Sequence, residues 1–366
     1  MSSTVLAEDW QTLVNMFPKN WRALAKETQA ITRKLRGFAD EESMMRILLL
    51  HIAQGYSLRE TVTRAKLAHI ADLSDVALLK RLRCAEQWFK ALCLALLAER
   101  GIKPMKANTL IPMRLADGTT VKEPGKTGSV WRIHYSISLP DLRCDYFKLT
   151  KTQGEETAET FKQFPIKKGE CIIGDRGYSK SQGIAYVDRK SAYVLVRVNT
   201  GALKFCTPSN KPFHLLEQVK TLKNEHERQQ WAVKLVVDNT LINGRVCVIR
   251  KSRLAADEAI KKLKINASKK QKTLRLETLE FAHYVIIFTT LPPQEYPLDT
   301  ILDSYRFRWQ IELAFKRLKS LAGLGHLPKY DEASVKAWLY GKLFTGLLVE
   351  KLIQYAKTTS PWGYAL

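Results

Sequence analysis

The hydrophobic period of the chain changes at residue 106, and the order of segments after that point restricts the fold more than any other feature. Residues 1 to about 105 carry apolar side chains at helical spacing, with Gly37, Gly55 and Gly101 as interruptions. Beyond 106 the pattern turns to strands: a short apolar run at 110–116, then alternation through Ile133, Tyr135, Ile137 and Leu139. Pro140-Asp141-Leu142-Arg143 reads as a turn and 144–150 as the returning strand. A short helix near 157–163, a strand at 170–173, a helix over about 179–190 and a strand at 193–198 follow.

This βββαβαβ order, completed by a later helix, predicts an RNase H-like α/β fold, in which antiparallel strands are extended by two parallel ones. The first and fourth strands of such a sheet are neighbours. Asp117 directly follows the first, in Leu115-Ala116-Asp117-Gly118, and Asp175 the fourth, in Gly174-Asp175-Arg176-Gly177-Tyr178. Their carboxylates are therefore expected to meet. The competing reading is that an Asp beside Gly is a turn residue. Asp141 and Asp145, in or beside the hairpin turn, fit turn duty better.

A single helix is expected over 300–321. At roughly 100° per residue, Tyr305, Arg308, Glu312 and Lys319 fall within about 60° of arc on it. One carboxylate among phosphate-binding cations suits metal-assisted phosphodiester chemistry, the anion holding Mg²⁺ while Arg and Lys grip phosphates. The alternative is an amphipathic helix in which Glu312 merely pairs with Arg308 at i,i+4.

Asp175 and Glu312 are 137 residues apart, more than one strand and one helix need, which predicts a separate β-rich insertion. The expected domains are helical 1–105, catalytic 106–199 with 298–366, and the insertion 200–297. In the insertion, strands 231–242 and 245–251 are expected to join at Asn243-Gly244, a favoured hairpin turn. A basic helical stretch over 254–282 carries Lys261, Lys262, Lys264, Lys269, Lys270 and Lys272, read as a nucleic-acid contact or as a solvated face. In the helical region, 44–54 reads as a helix ended by Gly55, and Ser57-Leu-Arg-Glu60 as a capping box. Ser74 caps a long helix that carries Lys80, Arg81 and Arg83 and runs on to Leu97. Short capped helices ending in a basic one suggest a helix-turn-helix-like DNA reader, with a plain bundle as the alternative.

Charge points the same way. Lys plus Arg outnumber Asp plus Glu by 59 to 36 in 366 residues, a formal +23, which calls for a polyanionic partner. A membrane is disfavoured: no run of about 18 apolar residues occurs, and no signal-peptide pattern follows Met1. A cytoplasmic, nucleoid-associated protein is expected. The six cysteines form no C-x-x-C pair, so they read as reduced and zinc is not expected.

Tyr305-x2-Arg308-x3-Glu312-x6-Lys319, with Asp-Gly after the first strand and Asp-x-Gly-Tyr after the fourth, resembles the YREK signature of bacterial DDE insertion-sequence transposases. These are the cut-and-paste group related to the transposases of transposons five and ten, and the resemblance covers most of 40–345. It implies that Asp117, Asp175 and Glu312 hold two Mg²⁺ ions, with Mn²⁺ able to substitute. Arg308 and Lys319 would clamp phosphates, and Tyr305 would touch the adjacent backbone or a flipped nucleotide. The group stacks a Trp from the insert's last strand on a flipped base; Tyr284 stands there in this chain, and a core or cross-strand aromatic is the other reading. A freed 3′-OH would attack the opposite strand to make a DNA hairpin, a second hydrolysis would open it, and the same 3′-OH would then attack target DNA. Double-stranded DNA, as element ends and target, and a homodimer assembled on it are the implied partners. Alternatives are a non-catalytic DNA-binding remnant or regulator, and an RNase H-like nuclease.

Overall fold

The computed structural model describes residues 10–31, 37–99, 111–122, 129–139, 143–151, 160–320, 323, 327–328 and 331–358. The helical region contains α1 (Trp21–Glu27), α2 (Glu41–Gln54), α3 (Leu58–Leu67), α4 (Asp75–Cys84) and α5 (Glu86–Glu99). Its punctuation follows the sequence. Gly55 ends α2 in the left-handed region at φ 73, and the Ser57 and Ser74 hydroxyls accept from Glu60 N and Ala77 N to cap α3 and α4. The long helix expected after Ser74 is instead broken at Ala85. The change of direction brings Leu78 and Leu82 of α4 and Trp88, Phe89 and Leu92 of α5 into one buried cluster.

The remainder is built on one nine-stranded sheet, ordered β3-β2-β1-β4-β5-β9-β8-β7-β6. Its first part comprises β1 (Met113–Lys122), β2 (Ser129–Leu139), β3 (Arg143–Lys151), β4 (Cys171–Gly174) and β5 (Tyr193–Arg197), with α6 (Ser181–Arg189) crossing between the last two. β1–β2 and β2–β3 are antiparallel, β1–β4 and β4–β5 parallel, as the sequence order predicted for an RNase H-like sheet. β1 reaches further than expected, so Asp117 lies inside the strand, paired with Tyr135 of β2. Asp145 is not a turn residue: it is buried in β3, 2.7 Å from Arg114 Nε, while Asp141 lies outside the described residues.

The insertion adds β6 (Phe205–Cys206), α7 (Leu215–Val219), β7 (Arg228–Val237), β8 (Thr240–Arg250), α8 (Arg253–Lys269), α9 (Leu276–Phe281) and β9 (Tyr284–Thr289). It is not a separate sheet: β9 pairs antiparallel with β5 and β8 with β9, so these strands prolong the core sheet. The hairpin turn is also corrected. β7 and β8 turn at Asp238 and Asn239, and Asn243 and Gly244 sit inside β8 opposite Lys234 and Val233. Gly244 serves close packing, because a Cβ there would meet the Phe288 ring at 2.6 Å.

The chain closes with α10 (Leu298–Arg306), α11 (Trp309–Ser320) and α12 (Glu332–Thr358). The single helix expected over 300–321 is interrupted at Phe307 and Arg308, where i→i+3 bonds run from Phe307 N to Ser304 O and from Arg308 N to Tyr305 O. Alternation along the strands feeds two cores. Leu115, Ile173 and Leu195 face α10–α12 and the N-terminal helices, while Ala116, Ile172 and Val194 face α6 and the insert. On the first face Phe344 of α12 packs on Phe17 and Phe89, with ring centroids 5.3 and 6.1 Å away, and Lys351 Nζ donates to Met16 O at 2.9 Å. The N-terminal helices thus share a core with the C-terminal helix. Among the described residues no helix is long and apolar enough to cross a membrane.

Candidate active site

The β1/β4 pairing ends with Leu115 opposite Ile173. Asp117 lies two residues beyond that last pair inside β1, and Asp175 directly follows the end of β4 as the N-cap of a 3₁₀ turn. Each makes the local turn contact that the competing reading predicts. Asp117 Oδ1 accepts from Gly118 N at 2.7 Å, and Asp175 Oδ1 accepts from Gly177 N at 2.8 Å, opening a 3₁₀ turn over Arg176–Tyr178. Parity puts Asp117 on the side of Leu115, the face covered by α10 and α11.

There an open cleft of about 530 Å³ is lined by Asp117, Thr119, Glu312, Lys316 and Lys319. Glu312 and Lys319 come from α11. Tyr305 ends α10 and Arg308 sits in the break, so the four residues expected on one continuous helix face are distributed over a helix junction. Arg308 is its hub. Its guanidinium reaches Glu312 at 2.5 Å and lies 5.9 Å from the Tyr305 ring centroid. Burial opposes its charge, but the Tyr305 hydroxyl, the Glu312 hydrogen bond and the charges of Glu312 and Asp175 prevail and raise its pKa. Arg308 thus pairs with Glu312 and feels the charge of Asp175, which is not among the residues lining the cleft. Among the described residues no three His, Cys, Asp or Glu side chains are drawn closely enough to hold an ion.

Tyr305 Oη is buried without a hydrogen-bond partner among the described residues. Burial raises its pKa against the pull of Arg308 and Arg197, so the hydroxyl is a donor at neutral pH. A buried donor without an acceptor costs free energy that an incoming oxygen would recover.

Other expected residues lie elsewhere. Lys80 and Arg81 are on α4, exposed and half-buried, whereas Arg83 is held by Asp331, with Nη2–Oδ2 at 3.1 Å. Lys261, Lys262, Lys264, Lys269, Lys270 and Lys272 are all exposed on or just after α8. Tyr284 is 5% exposed, walled into β9 beneath Arg250, whose guanidinium is 6.0 Å from the ring centroid. Sequence reasoning missed Lys316, although it falls one turn after Glu312 on the same helix face. It also missed Arg176, which stands inside the Asp-Arg-Gly-Tyr segment, and Arg197 at the end of β5.

A family profile described as "Transposase DDE domain" matches residues 148–348, more than half of the chain. The chain belongs to the DDE transposase family. The matched part of this transposase contains Asp175, Arg308, Glu312 and Lys319, and Asp117 lies upstream of it. The chain is 31% identical over 353 residues to the putative transposase InsL of insertion sequence IS186A from Escherichia coli K12, covering 92% of this chain and 91% of that protein. It is also 31% identical over 354 residues to the transposase of IS421 from E. coli. The transposase of IS231B from Bacillus thuringiensis subsp. berliner matches at 24% over 211 residues, 53% of this chain and 42% of that one. A chain of the piggyBac transposase synaptic complex with hairpin DNA aligns over 97% of this chain and 74% of its own length, at a TM-score of 0.49 and 9% identity.

Proposed function

We propose that this transposase cleaves DNA at the ends of its insertion sequence and joins the freed 3′-OH to target DNA by phosphoryl transfer at Asp117, Asp175 and Glu312. The β1/β4 pairing supports this most directly: it makes the strands that lead to the two aspartates neighbours, and Glu312 lines one cleft with Asp117. A DDE domain implies a divalent metal, typically Mg²⁺, and an all-carboxylate donor set suits so hard a cation. Bound ions, two in number by the family resemblance, supply the charge that activates a hydroxyl and steadies the leaving oxygen.

The chain's own residues do the positioning. The backbone N–H groups of Gly118 and Gly177 orient Asp117 and Asp175. Lys316 and Lys319 line the cleft, where ammonium groups hold phosphates, and Tyr305 offers its hydroxyl to a phosphate oxygen. Arg308 must release Glu312 to serve as a phosphate clamp. With Glu312 55% exposed, that pair is worth no more than about 1 kcal/mol, so an arriving charge exchanges it readily. A hairpin intermediate, a homodimer on DNA, and DNA contacts by residues 1–105 and by the lysines of 200–297 belong to the same proposal.

The test is a stepwise cleavage assay on a labelled duplex carrying the element's end. Asp117→Ala, Asp175→Ala and Glu312→Ala should each lose strand cleavage by more than about 10³-fold while retaining DNA binding. Wild-type protein that binds but never cuts would indicate a non-catalytic remnant. Cleavage surviving in Glu312→Ala would remove α11 from the chemistry.

A further inference from the structure

Arg114 stands in β1 three residues before Asp117, and Glu170 immediately precedes β4, five residues before Asp175. Both are buried. Arg114 has the parity of Ala116, so it lies on the sheet face opposite to that of Leu115 and Asp117, away from the cleft. Its Nη2 is 3.5 Å from Glu170 Oε2, its Nε is 2.7 Å from Asp145 Oδ2, and its Nη1 donates to Pro165 O at 2.8 Å. Asp145 reaches it through a bulge in β3: Ser136 pairs with Tyr146 and Ile137 with Cys144, which leaves Asp145 as the extra residue. Ser136 Oγ donates to Asp145 Oδ1 at 2.5 Å. One guanidinium thus ties the strand that carries Asp117 to the residue that opens the strand leading to Asp175.

That tie falls where the sheet needs it. The parallel ladder of β1 and β4 is short, pairing Met113 with Cys171, Arg114 with Ile172 and Leu115 with Ile173. All of Cys171–Gly174 is buried, so a slip of one residue exchanges one apolar side chain for another, and hydrophobicity alone separates neighbouring registers poorly. The same slip would carry Asp175 about 3.3 Å along the strand direction relative to Asp117. It would also draw Glu170 away from Arg114 and leave a buried charge without its partner. Fixing register is the best-attested use of a buried ion pair, which adds little net stability.

We propose that Arg114, clamped between Asp145 and Glu170, is a positioning residue: it sets β1 against β4, and through that register the affinity of the carboxylate site for its divalent cation. The consequence for the cation rests on the function proposed above. Arg114 acts through the backbone and touches neither DNA nor metal. A guanidinium is needed as well as a charge, because its fixed fork meets two carboxylates and a carbonyl at once, where an ammonium is a single point.

The experiment is a Mn²⁺ titration of the full chain, followed by the electron paramagnetic resonance of the free ion. The protein is held on a duplex matching the already cut element end, and ions bound by the duplex alone are subtracted. Thermal melts and duplex affinity are read on the same samples. Glu170→Gln keeps an oxygen for the Lys167 N–H, which Glu170 Oε1 accepts at 2.9 Å, and leaves Arg114 paired with Asp145. It should weaken Mn²⁺ binding roughly tenfold, as loss of a group supporting metal ligands does, with melting and duplex affinity little changed. Arg114→Lys should do the same, and Glu332→Gln, which breaks the exposed pair with Lys151, should leave Mn²⁺ affinity at the wild-type value. Wild-type Mn²⁺ affinity in Glu170→Gln and Arg114→Lys, with binding lost in Asp117→Ala and Glu312→Ala, would overturn the clamp and leave the carboxylate site standing. Parallel losses of duplex and Mn²⁺ affinity in both clamp variants would mean a merely structural role and overturn it too. Undiminished Mn²⁺ binding in Asp117→Ala and Glu312→Ala would instead remove the carboxylate site itself.

Discussion

Arg308 does two incompatible jobs, and its substitution separates them. It holds Glu312 at 2.5 Å and is drawn also to Asp175, yet the proposed chemistry needs those carboxylates for a cation and the guanidinium for phosphate. Because the pair is partly solvated, its loss costs stability less than about 1 kcal/mol. Arg308→Gln is expected to weaken end binding about tenfold, equivalent to ~1.4 kcal/mol, and to lower the Mg²⁺ concentration that gives half-maximal cleavage. The two effects run in opposite senses. A Mg²⁺ titration of cleavage at saturating DNA reads the second, and an unchanged or higher requirement would mean that Arg308 does not compete with the ion for Glu312.

At the level of elements, the β8–β9 contact explains Gly244. With Phe288 at 2.6 Å and Thr289 O at 2.7 Å from a hypothetical Cβ, Gly244→Ala should destabilise the protein by ~1–3 kcal/mol. The exposed neighbour substitution Asn243→Ala should stay within about 0.5 kcal/mol. Urea melts of both decide it; equal losses would mean that the approach of Phe288 is not what requires glycine at 244. The misreading has a physical origin, since the dipeptide reports only that the backbone can turn, whereas proximity to Phe288 depends on a strand 40 residues later. The same limit hid the break at Phe307 and Arg308, which has neither Gly nor Pro to mark it, and the docking of β9 on β5. Local signals were legible for the opposite reason. Gly55, Ser57 and Ser74 act within four residues of themselves, and the neighbouring of β1 and β4, which carry or lead to the two aspartates, follows from strand order alone.

Across the whole molecule, the N-terminal helices, one face of the sheet and α12 enclose one apolar core, and a buried lysine sits at the seam. Lys342 of α12 is 2% exposed, 3.4 Å from Ala53 O of α2, with Nζ 4.9 Å from the Trp338 ring centroid. Burial lowers its pKa from 10.5 to about 8. Below about pH 8 the folded protein encloses a charge that water would solvate better, and the penalty is fully present. Between about 8 and 10.5 the unfolded chain binds a proton that the folded chain lacks, so raising the pH favours folding. Lys342→Met removes the charge and keeps the aliphatic bulk. It should raise stability by ~1–3 kcal/mol at pH 7, and the gain should shrink as pH climbs through that window. If the helical region and the catalytic sheet unfold as one body, calorimetry will record a single transition that shifts as a unit. Two transitions, of which only one responds to Lys342→Met, would mean that the seam does not couple them.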